Sequence, residues 1–174
     1  GRAYVAAAGG DDGVSVFDSI GIKRIIENMN RPEVITHLVD ELVRAGGGQV
    51  SHIRTILPSC GGEQAAIGLS QVISHPIRHV RQQALKILAE LGKDSLKVFT
   101  DILMDDSMFE RDPDRSELPD SRWYVVRNSI FVLGLLEDPE GITPLRLRIN
   151  DMDIRVRREI VATLGKIGGD DACD

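Results

Sequence analysis

Three segments of the chain repeat one another without internal gaps: residues 79–92, 124–137 and 155–168. The second and third copies are 31 residues apart, which is the length of two short helices with their connections. A single helix pair exposes apolar faces that only neighbouring pairs can cover, so tandem copies stack side by side. The repeat therefore predicts an all-α fold, an α-solenoid in which stacked antiparallel helix pairs form a superhelix.

Small residues occupy one position of this repeat in all three copies. They are Ala89, Gly134 and Gly165, and each follows a leucine. Small side chains let neighbouring helices approach closely, and added volume in a full interface is destabilising. We therefore expect the change Gly165→Val to destabilise the fold.

Apolar residues also recur at helical spacing outside the three copies. One stripe includes residues 22, 25, 26 and 29, and the next extends from Val34 to Val43. The glycines at 46–48 are typical of a helix end and a link, and Pro58 and Pro76 are typical stops. The pattern predicts about eight or nine helices, which after the first two stripes lie over residues 50–57, 63–74, 77–91, 96–104, 122–136, 140–149 and 152–167.

The first and second copies are 45 residues apart, and the excess lies in an acidic segment. Residues 105–120 carry seven acidic side chains and two arginines, so they supply −5 of the formal net charge of −6. This composition, with Pro113 and Pro119, is typical of a loop or disordered insertion rather than a packed element. We expect deletion of residues 108–118 to leave the fold intact.

These observations divide the chain into six parts. They are a linker or remnant of a preceding element (1–13), degenerate helical repeats (14–74), a repeat (75–104), the acidic insertion (105–120), a second repeat (121–150), and the first helix of a truncated repeat (151–174).

Two phrases, DSRWYVVRNSIFVLG at 120–134 and DMDIRVRREIVATLGKIGG at 151–169, resemble HEAT-like repeats of the phycobilisome-lyase type. Val156-Arg157 and residues 164–168 match that family's first helix, and Asp138-Pro139 matches the start of its second helix. The resemblance is strongest over 121–169, good over 76–104, and degenerate over 32–74. It implies a HEAT-like α-solenoid, a scaffold that carries many different activities.

The favoured function is a non-enzymatic scaffold for protein–protein interaction within a larger protein. Repeat arrays present extended surfaces, and we expect the second helices, over residues 50–57, 96–104 and 140–149, to line a concave one. One alternative is a non-catalytic or regulatory subunit of a chromophore-lyase-like enzyme. A less favoured alternative is a nucleic-acid-binding module, since that function needs a basic face and the charge here is acidic.

The composition further limits the classes of partner that we expect. No apolar run approaches the ~20 residues of a membrane span, so we expect no membrane partner. Two cysteines are too few for a disulfide scaffold, which favours a cytoplasmic protein. The expected partner is another protein or peptide and not nucleic acid. Self-association through the last repeat is a further option, because Gly-Asp-Asp-Ala follows its first helix and the array looks cut from a longer one.

Several residues suggest chemistry, but each has a simpler interpretation. His75 and His79 have metal-ligand spacing, yet Pro76 lies between them and no third ligand is near. Asp112 and Asp114 begin like a calcium loop that lacks its glycine and its final glutamate. Cys60 and Cys173 have no histidine nearby in sequence, and residues 46–48 lack the Lys-Ser/Thr of a phosphate loop. The His-Glu dipeptides of HEAT-like deoxyhypusine hydroxylases are absent as well. We therefore predict no catalytic residue, no metal and no cofactor.

The best candidate site is the cluster Trp123, Tyr124, Arg127 and Asn128, because Trp, Tyr and Arg are enriched at interface hot spots. The alternative is structural: the aromatic pair packs against the preceding helix or the insertion, and Arg127 bonds an Asp of another repeat. Arg81 and Arg157 occupy matching repeat positions, and we expect them to pair with loop acids such as Asp120 or Asp151.

Overall fold

The computed structural model describes residues 28–44, 47–60 and 62–168, and over these residues it contains helices but no strand. The predicted linker 1–13, most of the stripe at 22–29 and Cys173 lie outside them. Two short 3-10 segments, Asp106–Phe109 and Pro139–Gly141, accompany eight α-helices within the described residues. The helices are α1 (Pro32–Arg44), α2 (Gly47–Cys60), α3 (Gly62–Ser70), α4 (Arg78–Leu91), α5 (Lys93–Met104), α6 (Asp120–Leu136), α7 (Ile142–Leu147) and α8 (Ile154–Ile167).

The helices form two rows, which confirms the predicted stack of antiparallel pairs. Helices α2, α4, α6 and α8 pack successively in the first row, and α3, α5 and α7 do so in the second. Helix α1 packs against both α2 and α3. Apolar side chains between the rows form the core, and the largest fully buried ones include Leu88, Phe99, Leu133 and Leu145. No helix in the described part of the chain combines the length and the apolar character that crossing a membrane requires.

The corner between α4 and α5 shows how a pair reverses direction. Gly92 is the single residue between the two helices, and its φ of +55° lies in the left-handed region that favours glycine. The buried hydroxyl of Ser95 donates a hydrogen bond of 2.7 Å to the carbonyl of Leu88. This bond satisfies a carbonyl at the end of α4, where the helix itself offers no partner.

Two predicted boundaries are wrong in instructive ways. The predicted helix 50–57 begins earlier, at Gly47, and it continues past Pro58 to Cys60. Burial of Val50, Ile53 and Leu57 outweighs the low helix propensity of glycine. The segment 50–57 also belongs to the first row, where α2 packs against α4, and not to the second helices.

Residues at two of the matching repeat positions are buried in all three copies, whereas burial differs between the copies at a third position. Ser129 and the matching Ala84 and Ile160 are buried, as are the matching leucines. At the small-residue position only Gly134 is buried, whereas Ala89 and Gly165 are exposed. A Cβ added at Gly134 would lie 3.0 Å from Cγ2 of Thr163, but one added at Gly165 meets nothing within 4 Å. The expectation for Gly165→Val is therefore wrong, because no described residue packs on that face of α8.

The acidic insertion contains the 3-10 segment Asp106–Phe109 but no α-helix before Asp120, and its ends are packed, unlike the unpacked loop that was predicted. Phe109 and Leu118 are buried. Arg111 donates a 2.9 Å bond to the carboxylate of Asp151, and these two side chains are only 10% and 8% exposed. Arg148 from the end of α7 stacks 4.0 Å from the ring centroid of Phe109. Deletion of residues 108–118 would remove these contacts, so we now expect it to disrupt the fold.

Arg81 and Arg157 make equivalent bonds, but they bond backbone carbonyls, including that of Asp151, and not the carboxylates of the loop acids that were predicted. Arg81 donates to the carbonyls of His75 and Pro76 at 2.6 and 2.9 Å. Arg157 donates to the carbonyls of Asp151 and Met152 at 2.6 and 3.0 Å. Each arginine therefore fixes the backbone turn that precedes its own helix.

The glycines give a matched pair of stability tests. We expect Gly134→Val to destabilise the fold by about 1–3 kcal/mol, because the new side chain collides with Thr163. The change Gly165→Val adds volume only to open space and should alter stability by less than about 0.5 kcal/mol. Thermal unfolding followed by circular dichroism compares the two, and equal melting temperatures would contradict the α6–α8 contact.

The acidic insertion gives a second matched pair of stability tests. Arg111→Ala leaves the nearly buried Asp151 carboxylate without its cation, which should cost about 3 kcal/mol. Arg115→Ala, on an exposed residue of the same loop, should change stability by less than about 0.5 kcal/mol. Urea unfolding measures both, and an Arg111→Ala variant as stable as the Arg115→Ala control would show that the ion pair contributes nothing.

Candidate functional site

The predicted cluster is divided between two sides of α6. Trp123 is half-buried and packs against the core, and the guanidinium carbon of Arg155 lies 4.6 Å from its ring centroid. Arg155 also donates to the carbonyl of Leu118 at 2.9 Å. Trp123 therefore lies where the end of the insertion meets the start of α8.

Asp153 lies at the centre of the contacts on the Trp123 side of α6. Its fully buried carboxylate accepts bonds of 2.8 Å from the Arg155 side chain and 2.8 Å from the backbone N–H of Leu118. It also caps α8 by accepting a 2.9 Å bond from the N–H of Arg155. Burial by itself raises the pKa of Asp153, but these hydrogen bonds and the Arg155 charge outweigh burial and lower the pKa below its ordinary value.

Tyr124 and Asn128 lie on the other side of α6, facing the start of α4, and Arg127 lies between the two sides, where it also contacts Glu159 of α8. Asn128 donates to the carbonyl of Ile73 at 3.0 Å and to the hydroxyl of Ser74 at 3.2 Å. All three residues line a cavity of about 410 Å³, together with Ser74, His75, Pro76 and Arg81. Tyr124 is 51% exposed.

A second, mostly apolar cavity of about 330 Å³ lies further along the same two helices. It is lined by Gln82, Leu85, Lys86 and Ala89 of α4 and by Phe131 and Leu135 of α6. Phe131 and Leu135 are 38% and 42% exposed. Residue numbers rise together on the two helices from the first cavity to the second, so α4 and α6 run in the same direction. We call the surface formed by the two cavities the α4–α6 groove.

The groove coincides with the junction of the first row that has no ion pair among the described residues. Arg54 and Glu90 join α2 to α4 at 3.2 Å, and Arg127 and Glu159 join α6 to α8 at 3.3 Å. Between α4 and α6 the polar contacts come from Asn128 to the turn before α4. No carboxylate is among the residues that line the two cavities of the groove.

Sequence reasoning missed Phe131 and Leu135, although a signal was present. In the repeat register Phe131 corresponds to Lys86 and Ala162, and Leu135 corresponds to Glu90 and Lys166. Helix α6 therefore carries large apolar residues where the other copies carry charged or small ones. Such departures from a repeat indicate a surface that packing of the array does not explain.

The other sequence candidates do not form a site in the described part of the chain. The Nδ1 atom of His75 accepts a 3.2 Å bond from the backbone N–H of Ile77. Asp112 accepts a 3.2 Å bond from the N–H of Asp114 within an open cavity of about 650 Å³ on the insertion. Among the described residues, no group of three or more His, Cys, Asp or Glu is placed to hold a metal ion. The side chains of Cys60 and Cys173 lie outside those residues.

Comparison with known proteins supports the architecture. The family model for HEAT repeats matches residues 115–174, about a third of the chain. With the two rows of helices, this match identifies the fold as an all-α, HEAT-like solenoid. No curated protein matches the chain.

The lowered pKa of Asp153 leads to a pH prediction. Its ionised carboxylate stabilises the fold fully above the unfolded-state pKa of about 4, and this stabilisation is lost as the pH falls through the lower native pKa. We expect Asp153→Asn, which keeps a capping residue but removes the charge, to lower the melting temperature at neutral pH. The difference from the unmodified chain should shrink below about pH 4. Asp114→Asn, on the exposed loop, is the control, and a difference that does not vary with pH would contradict the role of the charge.

Proposed function

We propose that the chain is a non-enzymatic scaffold for protein–protein interaction in the cytoplasm, and that the α4–α6 groove is its principal contact surface. The observation that carries this proposal is the pair of exposed apolar side chains, Phe131 and Leu135, beside Tyr124 in an open groove. Large apolar residues in a recessed surface with a polar rim are typical of interaction sites.

The second-helix surface is the weaker candidate, because two of its lysines already pair with carboxylates of the same surface. Lys97 and Glu63 join α5 to α3 at 2.8 Å, and Lys93 and Glu140 lie 3.8 Å apart across α5 and the start of the next pair. Charges that are already paired offer less to a partner. We therefore propose the first row, and not the second helices, as the contact surface.

The finer family assignment is part of the same proposal. The phrases around Val156-Arg157 and Asp138-Pro139 support repeats of the phycobilisome-lyase type, and Asp138 does accept a 2.9 Å bond from the N–H of Glu140 at the start of the second helix. A non-catalytic subunit of a chromophore-lyase-like enzyme is the alternative that this resemblance supports. Identification of a lyase subunit as the contacted protein would favour it.

Site-specific photo-crosslinking tests the proposal. A p-benzoylphenylalanine replaces Phe131 in one version of the chain and Leu147, an exposed residue of α7, in the other. We expect a protein adduct in lysate of the source organism from position 131 and not from position 147, and competition by excess unmodified chain should abolish it. The added change Tyr124→Ala should weaken the adduct by about fivefold or more.

Adducts from position 147 alone would move the contact surface to the second helices. Absence of a protein adduct from either position would contradict the scaffold function.

A further inference from the structure

We infer that the α4–α6 groove binds a short amphipathic helix of a partner protein that carries acidic residues beside its apolar ones. The inference builds on the proposed function and adds the chemistry of the partner. It is drawn from three properties of the groove: its apolar lining, its charge, and its length and direction.

The apolar lining lies at one end of the groove. Leu85 and Ala89 of α4 face Phe131 and Leu135 of α6 across the cavity of about 330 Å³. One or two leucine- or phenylalanine-sized side chains would fill this space and displace water from all four residues. Removal of apolar surface from water is the main favourable contribution to such binding.

The charge of the groove is opposite to that of the chain. The chain has a formal net charge of −6, yet the cavities are lined by Arg81, Lys86 and Arg127 and by no carboxylate. Arg81 and Arg127 already bond groups of this chain, whereas Lys86 has no ion pair among the described residues. Lys166 of α8 lies with its Nζ atom 5.6 Å from the ring centroid of Phe131. Two ammonium groups therefore lie next to the apolar cavity, where carboxylates of a partner would complement them.

The length and direction of the groove suit a helix. From Tyr124 to Leu135, α6 rises by about 16 Å, or three turns, and α4 runs parallel beside it. A helix laid between two parallel helices inserts side chains spaced three or four residues apart, which is a recurring mode of peptide recognition. The acidic end of the bound helix should lie over Lys86 and Lys166, at the apolar end of the groove and away from the acidic insertion that precedes α6.

Single-stranded nucleic acid is the competing ligand, because aromatic side chains with nearby cations also bind bases and phosphates. Two observations favour the peptide. The apolar cavity is lined by Leu85, Ala89 and Leu135 as well as by one aromatic ring. A phosphate backbone that extended past the start of α6 would also approach the acidic insertion, which carries −5.

Selection from a display library of random peptides of about 16 residues tests the inference without a known partner. The immobilised full chain is the bait. We expect the selected peptides to be enriched in Asp and Glu next to Leu, Ile or Phe at helical spacing. A synthetic copy of the most enriched peptide, and a copy with its Glu residues changed to Gln, then serve as probes for fluorescence anisotropy.

Four variants locate the site. We expect Phe131→Ser to weaken binding of the selected peptide by about tenfold or more, and Lys86→Glu by about fivefold. The matched controls on α7, Leu147→Ser and Arg146→Glu, should bind as the unmodified chain does. Circular dichroism checks that all four variants keep their helix content. The Gln copy of the peptide should bind the unmodified chain more weakly and should lose its sensitivity to Lys86→Glu.

Several results would overturn the inference. Selected peptides rich in Lys and Arg, or binding that only the α7 variants weaken, would place the site elsewhere while leaving the scaffold function standing. Tighter binding of a random single-stranded DNA oligomer, weakened by Lys86→Glu, would make the groove a nucleic-acid site. If the chain enriches no peptide, the groove does not bind helices of this kind, and the crosslinking experiment decides separately whether the scaffold function also fails.

Discussion

Every helix pair in this chain depends on its neighbours, because neither row can bury its apolar side chains alone. Leu88 and Leu133 lie at the same repeat position and are both fully buried between the rows. The spacing along the first row is nevertheless uneven. Gly134 lets α6 approach α8 so closely that an added Cβ would lie 3.0 Å from Thr163, whereas Ala89 at the same position of α4 is exposed beside a cavity. At this repeat position, therefore, α6 and α8 pack closely, whereas a cavity lies between α4 and α6.

The acidic insertion adds contacts to the second half of the chain, where α6 and α8 pack closely. Arg111, Arg148 and Arg155 each connect it to a different part of the second half of the chain, through Asp151, the ring of Phe109 and the carbonyl of Leu118. Four of its seven acidic residues, at positions 110, 112, 114 and 117, lie between the buried residues Phe109 and Leu118. An acidic composition predicted an unpacked loop, but a few well-placed arginines and two apolar residues are enough to order such a segment against the array.

The sequence predicted the fold well and the groove poorly, for physical reasons that particular residues illustrate. Periodicity located α1 and α4, since a buried stripe such as Ile35, Val39 and Leu42 follows directly from helix geometry. The repeat alignment placed Gly165 in an interface. An alignment shows which positions correspond, but not which of them has a neighbour in space. The cluster at 123–128 was correctly placed on one helix. Its division into Trp123 on one side and Tyr124 and Asn128 on the other depends on how α6 is rotated relative to α4 and α8, and this rotation is set by tertiary packing.

Repeat proteins separate two kinds of information in one sequence. Residues that recur, such as Leu88 and Leu133, maintain the array and carry little information on what it binds. Residues that depart from the recurrence without a packing role are free to specify a partner. Phe131 and Leu135 are departures of this kind, and they line the same cavity as Lys86, a cation without an ion pair among the described residues. An apolar cavity with an adjacent cation favours a ligand that carries both apolar side chains and carboxylates. A purely apolar or a purely acidic segment would complement only one of the two features.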